Sequence, residues 1–287
     1  MSENVLPLVF FTLLGQAALG LMIGLAMVRA LKKPAGNEIW LRMRYPVALV
    51  ALVLMIAALG FSFFHLGSPL KAIYALSGWR TSWLSREIIM VHAFLLALVL
   101  WVVFLKNPIS SERANTVFMR LCLATGILMV FTMARIYMIA AVPVWDSLYT
   151  PILFFSSSLT VGLSLFAAVQ YYADREGSLQ PGGLIFARIM ATVILLAFLV
   201  RIPFGFFPDS VAAEVAFPPA GLPLLYVALH HILMVCGIMA MLIPAFAGID
   251  HETGLRRLIR IAPFIFILAG ELLGRYLFYG GYYRLGV

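Results

Sequence analysis

Apolar residues dominate eight stretches of the chain, near 8–28, 46–66, 88–105, 118–142, 151–172, 185–204, 223–248 and 261–282, with polar and turn-forming residues gathered between them. A helix rises 1.5 Å per residue and needs about 20 apolar residues to cross about 30 Å of hydrocarbon, so the pattern predicts eight transmembrane helices. The stretches lack the alternation of barrel strands, and backbone groups in lipid must be bonded internally, which leaves helices as the reading. Composition sharpens this. Of 287 residues, 63% are hydrophobic and 11% charged, and the mean hydropathy is +1.03. The expected fold is an all-α integral membrane protein, one transmembrane domain over 1–287. The first stretch has no basic region before it and is read as a retained span rather than a signal peptide. No connection approaches the roughly 50 residues a soluble catalytic domain needs.

The net charge of +8 follows topology rather than a nucleic-acid surface. Four alternate connections hold Arg29, Lys32, Lys33, Arg42 and Arg44, then Lys106, Arg113 and Arg120, then Arg175 and Arg188, then Arg256, Arg257 and Arg260. Basic residues stay on the cytoplasmic side, which puts both termini outside. Cys122 and Cys236 lie in different spans without ligand spacing, whereas an iron–sulfur cluster generally takes four thiolates, so both read as packing residues and no cluster is expected on this chain.

Ionisable groups inside a membrane are costly, and their depth is informative. His65 falls at the outer end of span two, Glu87 at the outer start of span three and His92 deeper in it. Arg135 is in the outer third of span four, Arg201 near the outer end of span six, and His230 and His231 two turns into span seven. Glu271 is mid-span in span eight, with Arg275 one turn further out. All lie at the midplane or on the outer side, which predicts one polar cavity opening outward. Plainer readings stand beside it. His65 at a boundary caps a helix end, Arg86 and Glu87 anchor the interface, Arg201 snorkels, and Glu271 with Arg275, spaced i,i+4, form an architectural pair. His230 and His231 point about 100° apart, so one of them at most faces the cavity, with His230 favoured. Two connections carry further signal. GSPLKAIYALSGWRTSWLSRE, with Trp79, Trp83 and three basic residues, reads as an interfacial amphipathic segment. GFFPDSVAAEVAFPPAGLP, apolar yet outside the spans, reads as a plug, lid or docking surface.

Several runs are familiar: FFTLLGQAALG at 10–20, FFHLGSPLKAIYAL at 63–76 with its Ser68 turn, LSREI at 84–88, MARIYMIAAVPVWDSLYTP at 133–151 and AGELLGRYLFYG at 269–280. Together they resemble the membrane anchor subunit of anaerobic dimethyl sulfoxide reductase, itself more distantly similar to polysulfide-reductase anchors. The resemblance implies an eight-helix, haem-free anchor, built as two packed four-helix bundles, in the bacterial inner membrane. It would oxidise menaquinol near the outer face. Electrons would pass to a four-cluster iron–sulfur subunit and then to a molybdopterin subunit. His65 and Glu87 match positions associated with quinol binding and deprotonation, and Arg135, Glu271 and Arg275 match polar positions within the spans. His92 matches no motif of the family; it is a candidate by depth alone, with Arg86 and Ser68 as further candidates beside the matched positions.

The chemistry fits these residue types. Quinol oxidation removes two electrons and two protons, and the protons need acceptors within hydrogen-bond reach. A neutral imidazole and a partly buried carboxylate both accept a proton at neutral pH. The arginines would hold a carboxylate ionised and polarise a quinone carbonyl. Protons would leave outward. Two rivals remain: a b-type cytochrome anchor, which needs facing axial histidines, and a secondary transporter, which needs access from both sides. A faint internal repeat would relate spans one to four to spans five to eight. The terminal acceptor belongs to another polypeptide.

Overall fold

The computed structural model describes residues 5–31, 35–65, 76–107, 111–143, 145–173, 181–202, 224–247 and 255–280. Every regular element among them is helical. They are α1 (Leu6–Ala30), α2 (Ala35–His65), α3 (Trp83–Leu105), α4 (Glu112–Tyr137), α5 (Tyr149–Ala173), α6 (Pro181–Leu199), α7 (Leu224–Ala247) and α8 (Leu255–Gly280), with a 3₁₀ turn at Leu76–Gly78 before α3. Seven are long and apolar enough to cross a membrane, while α6 offers a shorter apolar run, Gly183–Leu199.

Each apolar stretch became a helix, but the ends moved for local reasons. α2 starts at Ala35, eleven residues before its apolar run, because helix formation continues through the charged segment containing Glu38 and Arg44, and Pro46 is accommodated inside it. α3 starts at Trp83, where the Ser82 hydroxyl accepts the Ser85 N–H at 3.4 Å, an N-cap that relieves one unpaired donor of the first turn. Ser111 caps α4 in the same way through Ala114 at 3.2 Å. α4 stops at Tyr137, earlier than the predicted 142, and a run of turns leads on to α5. The connections at 66–75 and 203–223, which hold the first part of the expected interfacial segment and the apolar lid, lie outside the described residues.

The helices form two closed rings of four. In the first, α1 packs on α2, α2 on α3, α3 on α4 and α4 on α1; in the second, α5 packs on α6, α6 on α7, α7 on α8 and α8 on α5. The rings join chiefly through α1 and α5, with α1 also touching α8 and α4 touching α5. In α1, 78% of the spanning window is buried, against 17% in α7, so the first helix is a central packing element. Lipid tails are as apolar as leucine, so close packing rather than water exclusion holds such helices together. The α1–α5 crossing shows how. A Cβ placed on Gly20 would lie 1.9 Å from the Ser158 carbonyl oxygen, and one on Gly162 would lie 2.2 Å from the Gly20 Cα. Both neighbours are backbone and cannot yield. Gly20→Leu is therefore expected to cost about 3 kcal/mol or more, seen as loss of the assembled protein from membranes and a lower melting temperature after solubilisation.

Candidate functional site

The ionisable residues within the apolar spans fall into two groups, with a pair of tyrosines between them. The first group sits where α2 ends and α3 begins. On α3, Glu87, Val91, Phe94, Leu98 and Trp101 recur at three- and four-residue steps and are buried, so Glu87 occupies the inward face of its helix. It is only 6% exposed. Among the described residues its carboxylate meets no cation and no hydrogen-bond donor. Tyr137 and Tyr279 are its electrostatic neighbours. A carboxyl group placed this way can take or release a proton without breaking an ion pair. His65 is the last residue of α2; its side chain, and Ser68 in the following connection, lie outside the described residues.

One turn before Glu87, the Trp83 ring meets two guanidinium groups, Arg86 at 4.3 Å and Arg135 at 5.1 Å from its centre. Arg86 Nε donates to the Trp79 carbonyl at 2.9 Å and Nη2 donates to that of Arg80 at 2.6 Å, tying the preceding turn to the start of α3. Arg135 is half-buried and turns toward the Met138 sulfur at 3.2 Å. It does not join Glu271. His92 is not part of this group either. Five residues after Glu87, it lies about 140° round the helix, exposed on the outer surface of α3, with Nδ1 2.7 Å from the Ile88 carbonyl of its own helix.

The second group lies in the seam between the bundles. Glu271, Arg275 and Tyr279 follow at four-residue steps on α8 and face Thr12 and Gln16 on α1 and Ser157 and Thr160 on α5. Glu271 is 2% exposed and accepts from Ser157 Oγ at 2.8 Å and Thr160 Oγ1 at 2.6 Å. Its ion partner is Arg201, at 2.6 Å. Arg201 is itself buried and also bonds to Ser156 and Thr160. This corrects two expectations: Arg201 does not snorkel, and the acid's partner comes from the end of α6 rather than from Arg275 one turn along. Arg275 instead donates to Gln16 Oε1 at 2.8 Å and Ser157 Oγ at 3.1 Å, with its guanidinium lying on Phe154 at 4.0 Å. His230 turns inward and His231 outward, as the spacing suggested. His230 Nδ1 is 2.7 Å from the Gly270 carbonyl oxygen, and its ring lies where a Cβ on Gly274 would stand, 2.7 Å away.

Tyr137 and Tyr279 bridge the groups, their ring centres 5.2 Å apart. The Tyr279 hydroxyl donates to Thr12 Oγ1 at 3.2 Å. Trp145, Phe154 and Phe278 pack round the pair, and Trp145 Nε1 donates to the Phe278 carbonyl at 3.0 Å.

The opposite end of the first bundle also carries polar contacts. Trp40 Nε1 donates to Glu112 at 2.9 Å, Arg44 pairs with the same carboxylate, and Trp101 Nε1 donates to buried Asn115 at 3.3 Å. Glu112, unlike Glu87, is already paired. The described residues contain no group of three histidine, cysteine or carboxylate side chains able to hold a metal. His92 and His230 belong to different bundles, and His92 is turned away from both.

Comparison with known proteins now places this architecture. Residues 2–281 match the family model described as "DMSO reductase anchor subunit (DmsC)". The chain belongs to the DMSO reductase anchor subunit family. It is 30% identical to the anaerobic dimethyl sulfoxide reductase protein YnfH of Escherichia coli K12, over 98% of this sequence and 96% of that one. It is 28% identical to a second anaerobic dimethyl sulfoxide reductase polypeptide of the same organism, over 98% and 96%. A shorter match, 64% identical over 44 residues, 15% of this sequence and 14% of the other, is to a sulfite dehydrogenase subunit of Allochromatium vinosum. As a member of the DMSO reductase anchor family, the protein is a multi-pass anchor in the bacterial inner membrane, serving a redox complex whose catalytic and electron-transfer subunits are separate polypeptides.

Proposed function

We propose that this anchor oxidises menaquinol near the periplasmic face of the membrane, as a single eight-span domain with both termini on that side. Two electrons pass to a four-cluster iron–sulfur subunit and on to a molybdopterin subunit that reduces the terminal acceptor; two protons leave outward. This assignment places neither haem nor iron–sulfur cluster on the anchor itself. The observation that carries it is Glu87: a carboxylate 6% exposed, without an ion partner among the described residues, at the same end of the bundle as the helix end that bears His65. A buried carboxyl group without an ion partner is costly to keep charged, and quinol oxidation needs a proton acceptor of this kind.

In this reading His65 takes the first proton and Glu87 the second, or relays it out. Ser68 in the HLGSP segment, with Arg86 and Arg135 beside Trp83, shapes the headgroup pocket. Arg275 and the ionised Glu271–Arg201 pair set its field from across the seam, while His92 takes no part. The test replaces His65 with asparagine and compares quinol-dependent acceptor reduction with reduction driven by an artificial dye. Loss of the first alone supports the role. Equal loss of both means that His65 serves assembly instead, and unchanged quinol activity refutes it.

The 44-residue match to a sulfite dehydrogenase polypeptide favours a second reading, with the same site working in reverse. An oxidising partner would then deliver electrons to menaquinone, and Glu87 and His65 would return the protons. Incubating the purified complex with sulfite and a soluble menaquinone separates the two: quinone reduction selects the second reading, and quinol-driven sulfoxide reduction alone selects the first.

A further inference from the structure

We infer that the seam between the bundles holds a small inorganic anion of the halide class, coordinated by Arg275, Gln16 and Arg201. The site lies in the seam and uses neither Glu87 nor His65. Arg201, Arg275 and Glu271 are all at most 6% exposed, and together they carry two positive charges against one negative. Glu271 is fully engaged, taking Arg201, Ser157 and Thr160. Arg275 forms no ion pair among the described residues.

The donors tell the same story. Arg275 Nη1, Arg201 Nη1 and Gln16 Nε2 are buried N–H groups with no acceptor among the described residues, whereas nearly all buried polar groups in folded proteins are bonded. Two of them belong to side chains already joined by the 2.8 Å bond from Arg275 to Gln16. The third belongs to the same network, reached from Arg275 through Ser157 and then Glu271. Phe154 covers one face of the Arg275 guanidinium at 4.0 Å, which leaves its N–H edge as the place for a ligand. Unfilled donors together with an excess positive charge call for an acceptor that is anionic and brings no hydrogens of its own. Burial among three helices requires that it be small. Cation and amide donors of this kind coordinate halides well, because each N–H points a partial positive charge at the ion.

The experiment uses the purified complex with its chloride replaced by bromide. An anomalous scattering peak is expected in contact with Arg275 and Gln16. In halide-free gluconate buffer the melting temperature should fall by about 2–4 °C, recovering with added chloride or bromide as expected of a ligand that binds only the folded state. Gln16→Glu places a carboxylate of nearly the same shape against Arg275, and should abolish both the peak and the halide dependence while leaving the fold intact. Ordered water in place of bromide overturns the proposal, as does a wild-type melting temperature indifferent to halide, or halide dependence that survives in Gln16→Glu. If that variant does not assemble, the wild-type scattering and titration decide the question alone.

Discussion

Glu87→Gln should lower quinol-dependent turnover by about 10²–10⁴-fold, the usual contribution of a positioned acid–base group, while dye-driven acceptor reduction by the same complex stays at its wild-type rate. Glutamine keeps the volume and removes the proton-accepting oxygen. Because Glu87 has no ion partner to orphan among the described residues, the substitution leaves packing intact and the loss falls on chemistry. Glu87→Asp keeps the carboxylate but retracts it by a methylene, and should recover part of the rate. A deficit that appears equally with dye would assign Glu87 to assembly.

The second large effect concerns stability. Arg201→Met leaves Glu271 buried at 2% exposure with its one ion partner among the described residues removed, and breaking one side of a buried pair typically costs about 3–5 kcal/mol. The solubilised complex should melt markedly lower. Replacing both partners, Arg201→Met with Glu271→Met, should recover most of that loss, since an apolar pair of similar volume is often no worse than the ions it replaces. If the double variant is as unstable as the single, the hydroxyls of Ser157 and Thr160 rather than the ion pair dominate the seam.

Much of this arrangement can be read from residue order alone. Membrane-spanning length locates the helices, and the cost of burying charge singles out Glu87, Glu271 and Arg275 within them. What hydropathy misses is helix that lipid does not require, as in the charged first turns of α2. The partner of Glu271 escapes for a different reason. An i,i+4 spacing makes Arg275 a neighbour, but it says nothing of a competitor arriving from α6, and only the packing of α5, α6 and α8 brings Arg201 to the acid. His92 illustrates the reverse: depth recommended it, yet its rotation from Glu87 round the helix already turned it away. Thr12, Gln16 and Gly20 on α1, like Glu271, Arg275 and Tyr279 on α8, recur every four residues, and that stripe is the signal that marks the seam. Weak polarity hid it, because serine, threonine and glutamine cost a membrane helix little beside a charge.

Photolabelling of the complex with an azido-menaquinone analogue, followed by peptide mapping, tests the outer-end site most directly. Labelling concentrated in the segments that carry His65, Glu87 and Tyr137, and suppressed by excess menaquinol, is the expected result. Labelling concentrated instead round Trp40, Trp101 and Glu112, at the other end of the same bundle, would contradict it.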